Sequence, residues 1–175
     1  MDYVSEYQSP MGTIILASDG ANLTGLWFEG QKYFGDTLKG TVKKAELPVF
    51  DMAKSWLDIY FGGKNPEFQV PVSLNGSPFR QEVWDILRQI PYGKVMTYGE
   101  IGKIVAGKRG LASMSAQAVG GAVGHNPISV IVPCHRVIGS NGSLTGYAGG
   151  VDKKKELLAL EGVDLKKLYL QRKNS

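Results

Sequence analysis

The chain has 175 residues, 43% apolar and 21% charged, with a formal net charge of +4, ordinary figures for a soluble globular protein that buries one good core or two small ones. No apolar run is long enough to span a bilayer, and Met1-Asp2-Tyr3 does not open a signal peptide, so a cytoplasmic, reducing location is expected. One cysteine excludes an intramolecular disulfide and a Cys-rich zinc site. The charge is segregated: residues 1–75 carry six Lys/Arg and nine Asp/Glu, and residues 76–175 carry fourteen and seven. A basic second half suits a polyanion such as DNA, with Lys103, Lys108, Arg109, Lys153, Lys154 and Lys155 as candidates for phosphate attraction.

In chain order, the turn signals Ser9-Pro10-Met11-Gly12 and Ser18-Asp19-Gly20 predict hairpin-connected strands near Tyr3–Gln8, Thr13–Ala17 and Gly25–Phe28. Phe50, Ala53, Trp56, Leu57 and Tyr60 recur at helical spacing after Pro48, so a helix is expected there. A strand at Phe68–Val72 and the Asn75-Gly76-Ser77-Pro78 linker lead into a second domain. Ser77 as N-cap and Pro78 at the first helical position start a helix whose Phe79, Val83, Ile86, Leu87 and Ile90 share one face. Thr97 and Glu100 stand in capping-box relation, which begins a second helix at Tyr98 with Ile101, Ile104 and Val105 inward. A third helix near Met114–Gly124 contains Ala116, Ala118, Gly120, Gly121 and Ala122.

Adjacent glycines inside a helix cost about 1 kcal/mol each relative to Ala, so Gly120-Gly121 implies close backbone approach by something, a neighbouring helix or sheet being at least as probable as a ligand. Next, the β-branched stretch Ser129–Val132 reads as a strand that delivers Cys134 at its end. A loop containing Gly139, Gly142, Gly146, Gly149 and Gly150 follows. The last helix, about Asp152 to Glu161, exposes Lys153–Lys155 and buries Leu157 and Leu158.

Cys134 lies in Ile131-Val132-Pro133-Cys134-His135-Arg136-Val137-Ile138, with an imidazole as its next neighbour. Most free cysteines are small buried hydrophobes, but this setting is that of a reactive thiol, with His135 able to take the thiol proton directly or through one water.

The segment Asn126–Val137 resembles the active-site signature of the O6-alkylguanine-DNA alkyltransferases, the methylated-DNA–protein-cysteine methyltransferases. Pro78-Phe79-Arg80, Val83-Trp84, Ile90-Pro91-Tyr92-Gly93, Thr97-Tyr98 and Glu161-Gly162 stand in that family's order. The resemblance is dense over Ser77–Val163 and diffuse before it. It implies an α+β protein in two parts: residues 1–75, a small ribonuclease-H-like scaffold domain with an antiparallel sheet and a helix, and residues 76–175, a mostly helical DNA-binding domain with a helix-turn-helix.

The implied activity is DNA repair by transfer of the alkyl group of O6-alkylguanine to Cys134, once per molecule, after the base is flipped from the duplex. O4-alkylthymine is a further possible substrate. The resemblance gives Glu161 the task of orienting His135, and Asn126 that of linking the third helix to the active-site segment. It gives Tyr98 that of serving the leaving base. Val137, Tyr147 and Ala148 would form the guanine pocket. Phe79, Arg80, Tyr98, Gly99, Gln117, Ala118, Gly121 and Ser140 would meet DNA, mainly in the minor groove. No metal or cofactor is expected, and the protein is expected to act as a monomer.

The chain departs from the pattern in one place: many members have an Arg just before Ala-Val-Gly of the third helix, where this chain has Gln117, which lacks the charge and planar stacking surface of a guanidinium. Three other readings fit less well. A thiol-free damage sensor of the same fold is opposed by Cys134. A transcription regulator leaves Pro-Cys-His-Arg unexplained. In a cysteine hydrolase the His is normally distant in sequence.

Overall fold

The computed structural model describes residues 1–168. Its chain divides into two compact units, Met1–Asn75 with Pro127–Ser129, and Gly76–Asn126 with the residues from Val130 on.

In the first unit β1 (Asp2–Ser9), β2 (Gly12–Ser18) and β3 (Leu23–Phe28) form antiparallel hairpins, and β4 (Val42–Lys44) adds in parallel beside β1, giving the order β3-β2-β1-β4. The Pro10-Met11-Gly12 turn sets the first register, which pairs Tyr7 with Ile14 and Tyr3 with Ser18. Helix α1 (Pro48–Phe61) packs on β1, β2 and β3 with Phe50, Ala53, Leu57 and Tyr60 buried.

The strand expected at Phe68–Val72 does not form. Pro71 has no N–H to give to a ladder, and the segment makes a single bridge, with Leu23 donating to Pro71 O at 2.8 Å and Ser73 to Leu23 O at 2.9 Å. Farther along β3, Leu26 donates to Pro127 O at 2.8 Å and Ser129 to Leu26 O at 3.0 Å. Two short pieces of chain thus cover the edge of β3.

The second unit holds α2 (Pro78–Leu87), α3 (Tyr98–Lys108), α4 (Ala116–Gly124) and α5 (Val151–Leu160), with a two-stranded parallel ladder of β5 (Met96–Thr97) and β6 (Val137–Ile138). The helix starts follow from their caps: the hydroxyls of Ser77, Thr97 and Ser115 accept from the N–H of Arg80, Glu100 and Ala118, satisfying donors that a helix's first turn leaves unpaired. Trp84 of α2 donates from Nε1 to Ala122 O of α4 at 2.8 Å, and Gly102 of α3 lies against Val119 of α4, where a Cβ would be 3.6 Å from its Cγ2. Ile104 does not point inward as expected but is 40% exposed.

Residues 129–131 form a turn rather than a strand. Val130 has φ +69°, a conformation β-branched side chains rarely adopt, and this reverses the chain where the β-branched composition reads as extended. Val130 is buried to 1% exposure, so tertiary packing holds what local preference opposes.

Candidate active site

Cys134 opens a one-turn 3-10 helix, Cys134–Arg136, that runs into β6. Its own N–H donates to Val132 O at 2.8 Å, and the Asn126 side chain donates from Nδ2 to the same carbonyl at 2.8 Å. Asn126 follows the end of α4, is buried, and also hydrogen-bonds the thiol. One side chain thereby fixes the turn before the cysteine and touches its sulfur. Cys134 as a whole is 4% exposed. Burial pushes its pKa above the ordinary value, while the Asn126 hydrogen bond, the charge of Lys154 and the N–H groups of Cys134 and His135 pull it back.

Glu161, the residue that caps the C-terminus of α5, is the hub of the next layer. His135 Nε2 lies 2.6 Å from Glu161 Oε2; Arg136 donates from Nε to Oε1 at 2.8 Å and from Nη2 to Oε2 at 3.2 Å; the Gly93 N–H donates to Oε1 at 3.0 Å. Burial alone would raise the Glu161 pKa, but the hydrogen bond and charge of His135, then those of Arg136, hold it at about 2. His135 is fully buried, and desolvation dominates the bond to Glu161, lowering its pKa. The resting array is therefore a protonated thiol, a neutral imidazole and a carboxylate. With Nε2–H given to Glu161, Nδ1 is the basic nitrogen of that ring.

The Ile90-Pro91-Tyr92-Gly93 landmark gains a physical reason here. Arg136 Nη1 donates to Ile90 O at 2.7 Å, its guanidinium sits 5.7 Å from the centroid of the Tyr92 ring, and Gly93, at φ +78°, presents its N–H to the carboxylate where a Cβ would lie 3.1 Å from Glu161 O. Sequence reasoning missed Arg136 and Gly93 as supports of the site.

Tyr98 follows β5, whose pairing of Met96 with Val137 and Thr97 with Ile138 sets it beside the strand that leaves the cysteine turn. Its hydroxyl packs on Gly146, at which a Cβ would lie 3.0 Å away. Burial, then the charge of Cys134, raises its pKa to about 12.

Lys154 overturns an expectation. It is 0% exposed rather than a surface cation, its Nζ has no hydrogen-bond partner among the described residues, and it sits 5.8 Å from the centroid of the Tyr98 ring. Desolvation lowers its pKa to about 8, opposed by the charge of Cys134. Its position was legible: Val151, Lys154 and Leu158 lie along one stripe of α5, in which the lysine takes an inward place.

Of the residues expected to form the guanine pocket, Val137 and Tyr147 are buried and Ala148 is half-buried. Gln117, Gly99, Gly121 and Ser140 are exposed, and Phe79, Arg80 and Ala118 are half-buried. Among the described residues a Cβ at Gly120 or Gly121 would meet no atom of another element within 4 Å, so close packing against a described helix or strand does not require these glycines. Arg109, expected as a phosphate candidate, is engaged within the chain: it donates to both oxygens of Glu82, at 3.0 and 3.3 Å, and lies over the Phe79 ring, with 36% of its side chain exposed. Lys103, Lys108 and Lys155 are exposed.

Comparison with known proteins gives a consistent picture. Residues 78–163 match the DNA binding domain of 6-O-methylguanine DNA methyltransferase, and residues 3–74 match its ribonuclease-like domain. The methylated-DNA–protein-cysteine methyltransferase of Methanosarcina acetivorans is 43% identical over 168 residues, 91% of this chain and 98% of that protein. That of Haemophilus influenzae is 39% identical over 162 residues, 92% and 87% of the two chains. The crystal structure of Mycobacterium tuberculosis OGT in complex with DNA superposes with a TM-score of 0.78 at 41% identity, covering 95% of this chain and 99% of that one.

Proposed function

Since the chain belongs to the 6-O-methylguanine DNA methyltransferase family, we propose that it repairs DNA by moving the alkyl group of O6-alkylguanine onto its own Cys134. The observation that carries the assignment of residues is the lone thiol beside a histidine locked to Glu161. In the reaction the Cys134 proton passes to Nδ1 of His135, and Glu161 stabilises the imidazolium that results. The sulfur then attacks the alkyl carbon, a C–S bond forms, the C–O bond to guanine breaks, and the electron pair leaves with the base. Tyr98 donates a hydrogen bond to the departing base as its charge develops. Lys154 stabilises the thiolate electrostatically from inside the core, where a charge acts more strongly than in water.

The product is a thioether with no activated leaving group, so each molecule reacts once. Access requires the base to leave the stack, at a cost of a few kcal/mol. The open space at Gly120 and Gly121 supports a minor groove as what comes close to α4. A reducing cytoplasm keeps the single thiol available for this chemistry.

Incubation with an oligonucleotide containing O6-methylguanine, followed by peptide mass spectrometry, tests the reading: one methyl group on Cys134 per molecule is expected. Label on another residue, no label, or sustained turnover by one polypeptide would refute it.

A further inference from the structure

We propose that Leu111 is an apolar wedge that enters the minor groove and loosens the base stack beside the damaged nucleotide. The inference rests on the repair reading above. Helix-turn-helix turns usually have three to four residues; here Arg109–Ser115, seven residues, separate α3 from α4. Leu111 stands in this turn at 52% exposure, and with Ile104 it is one of two large apolar side chains exposed in the second unit among the described residues.

The backbone beneath Leu111 is firmly tied. Gly110, at φ +66°, donates to Gly107 O at 3.3 Å, and Leu111 N–H donates to Ala106 O at 2.8 Å, the paired bonds of a Schellman helix end. Such ends usually bury the apolar residue at this position against the helix. Here half of it stays in water. Arg109, one residue before the glycine, is held at the other side by both oxygens of Glu82 and by the ring of Phe79. The turn therefore offers a leucine on a stiff mount, so little ordering entropy is lost when it makes a contact.

The occupant is set by charge and by the task. Lys108 and Lys103 are exposed close to the turn, and residues 76–175 carry twice as many Lys/Arg as Asp/Glu, which favours a polyanion over another protein or a neutral surface. Residues 112–114 of the same turn line a cavity of about 260 Å³ with Tyr98 and Gly99, so the turn is continuous with the start of α3, where the reacting base is served. Gln117, at the exposed start of α4, brings no charge and no flat cation to the stack. Proteins that open the minor groove commonly insert Leu, Ile, Met or Phe between base steps.

The test compares three alkyl donors that carry the same group: an O6-methylguanine duplex, the corresponding single strand, and free O6-methylguanine base, which needs no extrusion. Leu111→Ser is expected to slow transfer from the duplex at least tenfold, to change the single-strand rate much less, and to leave the free-base rate within twofold. Leu111→Met is expected to keep the duplex rate. A 2-aminopurine next to the lesion should brighten on binding wild-type protein and not Leu111→Ser. An unchanged duplex rate, or an equal fall with all three donors, would overturn the wedge. Wild-type protein that left Cys134 unlabelled by any donor would instead refute the repair reading itself.

Discussion

Lys154 holds its ammonium 5.8 Å from the centroid of the Tyr98 ring, inside the core and within electrostatic reach of Cys134. A buried cation without a hydrogen-bond partner is costly to the fold. Lys154→Met is therefore expected to raise unfolding free energy by about 1–3 kcal/mol at pH 7 while slowing alkyl transfer more than tenfold at that pH. Denaturant titration and single-turnover kinetics read the two effects separately.

The same lysine predicts a pH signature. Its folded pKa of about 8 lies below its ordinary value, so the unfolded chain binds the extra proton between the two values and stability from this group rises over that range. The difference in unfolding free energy between Lys154→Met and wild type should shrink from about pH 8 upward. A constant difference across that range would contradict the buried cation.

Glu161 works in the opposite direction. A carboxyl held at about 2 by His135 and Arg136 against the effect of burial contributes stability above its unfolded pKa, and that contribution is lost as pH falls from about 4.5 toward 2. Glu161→Gln should cost about 3–5 kcal/mol near neutrality, because Arg136 stays buried without its partner, and should flatten the acid limb of the stability curve. Acid titration of both proteins by circular dichroism decides this.

How much of this was legible in the sequence depends on the length of the signal. The hairpins, α1 and the helix starts at Ser77 and Thr97 announce themselves through turn residues, apolar spacing and caps. The β5–β6 ladder has two residues on each strand, too few for a period, yet it places Tyr98. Val130 fails for another reason: a β-branched run reads as extended, and only the packed core makes its φ of +69° tolerable. The pairing of Arg109 was hidden for a third reason: composition shows the cation and not Glu82, which is distant in sequence and adjacent in space.

Gly121 allows a test in which stability and binding separate. Among the described residues nothing beyond its own helix turn lies within 4 Å of a Cβ built there, so Gly121→Ala should stabilise the free protein by about 0.5–1 kcal/mol through helix propensity. With α4 facing the minor groove as proposed, it should also weaken duplex binding, because the added methyl would stand between helix and groove. Thermal melts and fluorescence anisotropy with a labelled duplex measure the pair; unaltered affinity would remove α4 from the interface.

Gln117→Arg probes the start of the same helix. An added guanidinium should raise duplex affinity severalfold at low salt and accelerate transfer from duplex DNA, with the gain fading as salt rises. No change in either quantity would remove Gln117 from the process.

The enclosure of Cys134 has a consequence for selectivity. A nucleophile consumed in a single event must not meet stray electrophiles or oxidants first, and such reagents act on exposed thiolates. At 4% exposure and with its pKa raised by burial, this sulfur is slow toward electrophiles and oxidants that do not seat themselves beside it as a base does. Reactivity is reserved for a substrate that brings its own means of entry, and DNA supplies it by delivering one base into the core.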